Sequence, residues 1–223
     1  MKQLILDLRR DAPPRFDNFV SGANDALLDA LHAAIGGGSH LYLWGAGGCG
    51  RTHLLHASVA AARAAGRPAI HVDAARLGKQ LDEEHGALIA VDDVDQLDDA
   101  AQIALFNAFN RARSNAHTLL LSGPCAPLGL RLREDLRTRI GQCLIYEVQD
   151  LDDASRAAIL ATQAGRRGLR LGDEVVDFLL RHGRRDLPAL LAVLDALDQA
   201  SLEHQRPITL PLLRTLMQQG LEI

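Results

Sequence analysis

The sequence predicts an α/β fold: a parallel sheet flanked by helices, followed by a unit that is helical throughout. Three observations lead there. Short apolar segments alternate with helical stretches as far as Asp150, the pattern of right-handed βαβ units. A glycine-rich loop, Gly45 to Thr52, lies between one such apolar segment and a helix. After Asp150 only helical spacing remains.

The elements follow in order. Residues 1–15 read as an extended arm, because Pro13 and Pro14 fix φ and stop a helix from running on. Asn24 to Ala34 reads as a helix, capped by Ser21 or Asn24 and ended by Gly36-Gly37-Gly38. Leu41 to Trp44 is a short apolar strand, and an Ala/Leu-rich helix runs from about Thr52 to Ala65. Further strands are expected at Ala69–Val72, Ala87–Val91, Thr118–Leu121 and Leu144–Val148. Ile103, Phe106 and Phe109 give Asp99–Arg113 helical spacing. Later helices are expected at about Asp153–Ala164, Asp173–His182, Asp186–Glu203 and Leu210–Gln219. The expected organisation is therefore an arm over 1–15, an α/β domain over 16–150 and a helical lid over 151–223.

Composition narrows the function classes. The net charge is −4 and no Lys/Arg block stands out, so charge alone does not point to nucleic acid. Cys49, Cys125 and Cys143 are odd in number and lack metal-type spacing, which suits a reducing cytoplasm and no disulfide framework. No apolar run is long enough for a membrane span, and no membrane partner is expected.

Two motifs carry chemistry. Gly45-Ala46-Gly47-Gly48-Cys49-Gly50-Arg51-Thr52 follows GxxxxG-[basic]-[ST] between a strand and a helix, the context a phosphate loop requires. Glycines let consecutive backbone N–H groups point inward at phosphate, and the helix adds its positive N-terminal end. Thr52 would place its hydroxyl on Mg²⁺. Arg51 stands where the motif wants Lys, and its planar fork suits binding better than the geometry of γ-phosphate cleavage. The second motif, Ala87-Leu88-Ile89-Ala90-Val91-Asp92-Asp93, is an apolar strand ending in carboxylates. Asp92 would hold Mg²⁺ directly or through water, and Asp93 sits where a catalytic base or water-orienting carboxylate is expected. His53 and His56 lie one turn apart without an evident third ligand, so packing or capping is expected of them. Phe106, Phe109 and Trp44 are expected in the core.

Further segments resemble the DnaA/Hda-type AAA+ family, over about residues 15–220. Arg15-Phe16-Asp17-Asn18-Phe19-Val20-Ser21-Gly22 with Asn24 resembles the family's FDNFVxGxxN segment, which implies Phe16, Phe19 and Val20 at an adenine pocket. Thr52-His53-Leu54-Leu55-His56-Ala57 resembles its [ST]HLLHA helix start, adding His53 to the nucleotide site. Leu136-Arg137-Thr138-Arg139 resembles the element bearing an arginine finger and implies Arg139 for that role. Arg184-Arg185-Asp186-Leu187 resembles the lid's sensor 2 element and implies Arg185 near the phosphates. Ser122-Gly123 departs from the Ser-Asp usual in initiators, which with Arg51 argues for poor intrinsic hydrolysis.

Within that family the regulatory Hda branch resembles this chain better than the initiators do. The chain reaches Ile223 without the helix-turn-helix domain an initiator carries beyond its lid. Gln3-Leu4-Ile5-Leu6-Asp7-Leu8 resembles that branch's Q-L-x-L-x-L sliding-clamp-binding peptide, with Gln3, Leu4, Leu6 and Leu8 making the contacts. Taken alone, these six residues also suit an edge strand. The resemblance implies an ADP-bound (or ATP-bound) protein with Mg²⁺, cytoplasmic and associated with the nucleoid through the clamp. It would dock on the DNA polymerase sliding clamp, the β subunit, touch clamp-loaded DNA only indirectly, and present Arg139 in trans to ATP on the DnaA initiator. Homodimers or higher oligomers stay open. The alternatives are an active AAA+ ATPase such as a helicase loader, and a DnaA-like adaptor whose nucleotide is structural.

Overall fold

The computed structural model describes residues 13–81, 84–183, 187–204 and 207–221. The elements are α1 Asp25–Ile35, β1 Leu41–Trp44, α2 Arg51–Ala64, β2 Ala69–Asp73, β3 Leu88–Asp92, α3 Asp99–Ala112, β4 Thr118–Gly123, α4 Glu134–Ile140 and β5 Leu144–Glu147. Four more helices follow: α5 Asp153–Arg166, α6 Asp173–His182, α7 Leu187–His204 and α8 Leu210–Gln218. Each expected strand and helix that lies in the described residues is present, with ends shifted by a residue or two. α4 is an addition, one that a seven-residue segment with four charged residues did not announce by apolar periodicity.

Among the described residues the five strands are all parallel, in the order β2-β3-β4-β1-β5. Parallel strands need helical crossovers, so both faces become covered and the central strands turn apolar throughout. Alternation then divides the side chains between two cores. Tyr42, Ile89, Val91, Leu119 and Leu121 face α3 and α4, whereas Leu41, Leu43, Leu88, Ala90 and Leu120 face α1 and α2. The helices after β5 bury a core of their own, including Leu160, Val175, Leu179, Leu197 and Leu213. None of the described helices is long and apolar enough to cross a membrane.

The strand order positions the site. The chain leaves β1 through α2 and returns at the far edge as β2, so β4 lies between β1 and β3. In such sheets ligands collect outside the carboxyl ends of the strands, where the order reverses. Two strand spacings, about 10 Å, then separate the end of β1 from the end of β3.

Asn24 ties this end of the sheet to the chain that enters the helical unit. It stands at the N-cap position of α1 but its side chain does not cap the helix. Its amide instead donates to the carbonyls of Ser21 (2.9 Å) and Gln149 (3.0 Å) and accepts from the Gln149 N–H at 2.8 Å. The residue is buried, so truncation strands polar groups of Gln149 away from water. Asn24→Ala is expected to lower the unfolding free energy by about 1–3 kcal/mol in denaturant titration, where loss of an ordinary exposed cap would cost nearer the bottom of that range.

Candidate nucleotide site

The loop after β1 is built on close approaches. Gly50 adopts φ 103°, and a Cβ there would lie 2.7 Å from the Phe19 ring. A Cβ on Gly45 would lie 2.8 Å from Cys49 Sγ and 2.9 Å from the Val148 carbonyl. Glycine is required at both positions, at Gly50 for its left-handed backbone as well. Burial pushes the Cys49 thiol pKa up, so the thiol stays protonated beside the loop.

A cavity of about 130 Å³ opens beside this loop. Its lining includes Phe19, Val20, Gly48, Cys49, Gly50 and His53, all expected at the site. Phe16 is not among the lining residues; it packs on His32, with ring centroids 4.4 Å apart. His53 reaches back to the Arg15 carbonyl at 2.9 Å and tilts against Phe19. Gln3, Leu4, Leu6, Leu8 and Arg185 lie outside the described residues.

The cavity also takes in Asn24, from the segment that resembles the family's adenine pocket, and draws in residues that sequence reasoning missed, chiefly Leu151 and Arg156. Arg156 is 6% exposed. It donates to Asp153 at 3.0 Å and lies 3.9 Å from Asp150. Its signal was legible: a cation on the same stripe of α5 as Ile159, Leu160 and Ala164, where an apolar residue is the default.

Opposite the loop, Asp92 ends β3 and is 5% exposed. The Ser122 hydroxyl, on β4, donates to Asp92 and accepts from the Asp93 N–H at 2.9 Å. His71 Nε2 lies 3.7 Å from the other Asp92 oxygen, and His71 stacks on His56 at 3.8 Å. Burial alone would raise the Asp92 pKa; His71, Ser122 and Thr52 outweigh it and hold the carboxyl at about 2. For His56, burial lowers the pKa and His71 adds to the effect.

Asp93 has φ 52° and ψ 58°, left-handed backbone for a residue that is not glycine. Such a conformation costs about 1–3 kcal/mol and persists where surrounding contacts impose it. Its carboxylate takes an ion pair from Arg51 Nη2 at 3.2 Å. Burial and the neighbouring Asp92 charge raise its pKa, against the pull of Arg51. The second Arg51 terminal nitrogen, Nη1, is buried and has no hydrogen-bond partner in the structure.

Gly123 follows Ser122 at the end of β4. A Cβ there would collide with the Tyr42 hydroxyl, which donates to the Cys125 carbonyl at 2.6 Å. The departure from Ser-Asp therefore has a steric partner inside the fold.

Arg139 lies elsewhere. Its Nη2 donates to Asn110 Oδ1 at 2.9 Å, and its guanidinium sits 5.8 Å from the Phe106 ring centroid. α4 packs through Leu136 and Ile140 into the core opposite α2, so Arg139 and the phosphate loop's helix are on different faces of the sheet.

Two outcomes test this geometry. The folded-state pKa of Asp92 is depressed, so its contribution of about 2 kcal/mol is present above pH 4 and lost as pH falls toward 2. Ser122→Ala should shrink that loss, measured as urea unfolding free energy at several pH values. Gly123→Ala should destabilise by about 1–3 kcal/mol, and adding Tyr42→Phe should recover part of it by removing the clashing oxygen.

The same fold occurs in proteins of known structure, and one segment matches a known family. Residues 153–217 match the family model described as Hda, lid domain. The chain is similar in structure to the replication initiator DnaA bound to AMPPCP and single-stranded DNA (22% identity, 84% of this chain and 65% of that chain, TM-score 0.70). Domain III of the Thermotoga maritima replication initiation protein DnaA matches over 96% of this chain and 99% of that one, at 17% identity and TM-score 0.77. The Thermotoga maritima RuvB Holliday junction branch migration motor matches at 18% identity, 92% of this chain, 72% of that chain and TM-score 0.74. At such identities the likeness concerns the fold, and the chain spans under two thirds of the length of the AMPPCP-bound initiator. The chain shares the fold of these proteins, and its helices from α5 onward match the Hda lid domain.

Proposed function

We propose that this protein is a DnaA-related regulator of replication initiation that holds ADP and stimulates hydrolysis of ATP bound to a DnaA-type partner. The observation that carries the proposal is the placement of Arg139. It is presented by α4 and steadied by Asn110 and Phe106 on the sheet face opposite α2, and it does not line the cavity beside its own phosphate loop. A guanidinium so placed is available to another subunit's nucleotide, where it would stabilise the charge that develops as the γ-phosphoryl leaves.

The nucleotide reading rests on the loop and cavity. Loop amides and the start of α2 would take the phosphates, while Phe19, Val20, Gly50 and His53 would face the base. The AMPPCP-bound initiator of the same fold supports an adenine nucleotide. Thr52 and Asp92 are oxygen donors that suit Mg²⁺. Asp92 is buried and engaged by Ser122, so Asp92 would act on the ion through water. The ion would supply neutralising charge at the phosphates. Arg51 on Asp93 leaves that carboxylate engaged by a cation rather than open to orient water, which supports weak intrinsic hydrolysis. Residues 3–8 would dock on the sliding clamp and bring the regulator to DNA-loaded clamps in the cytoplasm; the support for that step is the sequence pattern Gln3-Leu4-x-Leu6-x-Leu8.

The test is a reconstitution of the protein with clamp, DNA and ATP-loaded DnaA, read as phosphate release. Arg139→Ala should reduce stimulated hydrolysis on the order of 10³-fold, and Asn110→Ala should lower the stimulated rate without weakening partner binding. Replacing Gln3 and Leu4 by Ala should abolish clamp pull-down and clamp-dependent stimulation. Undiminished stimulation by the Arg139→Ala protein would sink the trans mechanism.

A further inference from the structure

The amino ends of the strands carry a cleft of their own. It lies at the opposite end of the sheet from the phosphate loop, because His40, Arg67, Gly86 and His117 stand just before β1, β2, β3 and β4. Its volume is about 630 Å³, within the range of small-molecule sites. Phe109 and Ala112 of α3 give it an apolar wall, and Gly36, Gly37 and Gly38 form part of its rim.

Helix ends decide the sign of charge there. α1 and α3 both terminate at the cleft, and bare carbonyls at a helix C-terminus repel anions. In this fold those carbonyls are engaged. Arg67 Nη1 donates to Ala34 and Ile35, each at 2.9 Å. The Asn115 and His117 N–H groups close α3 on the Arg111 carbonyl (3.0 Å) and the Ala112 carbonyl (2.8 Å). Ala116, left-handed at φ 53°, makes that closure possible.

What faces the cleft is then cationic. The remaining Arg67 bonds go to the Gly86 and Ala87 carbonyls and the Thr118 hydroxyl, so these partners are all neutral and leave the guanidinium charge uncancelled. Arg113 adds an exposed cation, and no carboxylate lines the cleft among the described residues. Glu84 approaches His117 through its backbone, its carbonyl lying 2.9 Å from Nε2. His40 accepts the Leu119 N–H on Nδ1 at 3.1 Å, so its neutral ring carries the proton on Nε2, as a donor. Burial and His117 lower the His40 pKa, which favours that neutral ring. The same ring stands edge-on to Phe109, with centroids 5.5 Å apart, so a polar donor adjoins the apolar wall.

We propose that this cleft binds a small organic oxyanion, a phosphate or carboxylate joined to an apolar ring or chain. The charged group sits toward Arg113 and His40, in the field of Arg67, and the apolar part lies against Phe109 and Ala112. The inference does not depend on the phosphate loop being a nucleotide site.

The experiment follows the His40 and His117 imidazole signals of the full chain by NMR, with ADP present to occupy the phosphate loop. The probes are phenyl phosphate, benzoate, inorganic phosphate and benzyl alcohol. Phenyl phosphate, benzoate or both should shift the two signals saturably, and the tighter probe names the oxyanion. Inorganic phosphate lacks the ring and should bind about tenfold more weakly than phenyl phosphate. Neutral benzyl alcohol should not saturate. Arg113→Gln, a change at an exposed position, should weaken the tighter probe about fivefold. If the anions move His53 but neither His40 nor His117, they bind at the phosphate loop and the inference is overturned. Benzyl alcohol binding as tightly as the anions overturns it too, as does an affinity unchanged in Arg113→Gln.

Discussion

One hydroxyl, that of Ser122, joins the two halves of the site. Because β4 lies between β1 and β3, any side chain at its carboxyl end stands between the phosphate loop and the acidic end of β3. Ser122 uses that position twice, donating to the Asp92 carboxylate and accepting from the Asp93 N–H. The first bond makes a buried charge tolerable, since a carboxylate withdrawn from water must be hydrogen-bonded or lose its charge. The second holds Asp93 in a backbone conformation that it would otherwise leave. The meeting of Asp93 with Arg51 follows from both.

The two cations of interest are held in opposite senses. Arg51 is mostly buried, engaged on one edge by Asp93 and without a hydrogen-bond partner on the other. Arg139 is fixed by a neutral amide and an aromatic face, neither of which neutralises it. Its charge stays available while its side-chain freedom is reduced, and reduced freedom is what a group must have before it can act on a partner with little entropic cost.

Much of this was legible in the linear sequence. The strands and helices followed from apolar periodicity, and the phosphate loop and acidic strand end were readable because each is local, contained in eight and seven consecutive residues. Gly50 and Gly45 could be read as loop glycines, though their reasons, the Phe19 ring and the Val148 carbonyl, are contacts from distant segments. α4 escaped notice because seven residues are too few for a period to declare itself. Phe106, read as core, is only partly buried and also faces Arg139. Asn24, read as a cap, spends its amide on Gln149, 125 positions away.

By itself, then, the sequence determined the local chemistry: which segments would be strands, where glycines would let amides converge, and which carboxylates and cations would stand at strand and helix ends. Only the tertiary structure decided how those groups meet. Strand order is set by crossovers that no local pattern encodes, and that order places Ser122 between Asp92 and the loop, Tyr42 against Gly123, and Arg156 beside Asp150. Hydrogen bonds and ion pairs act over about 3–4 Å, so partners far apart in the chain become partners only once packing of the two cores has brought their strands together.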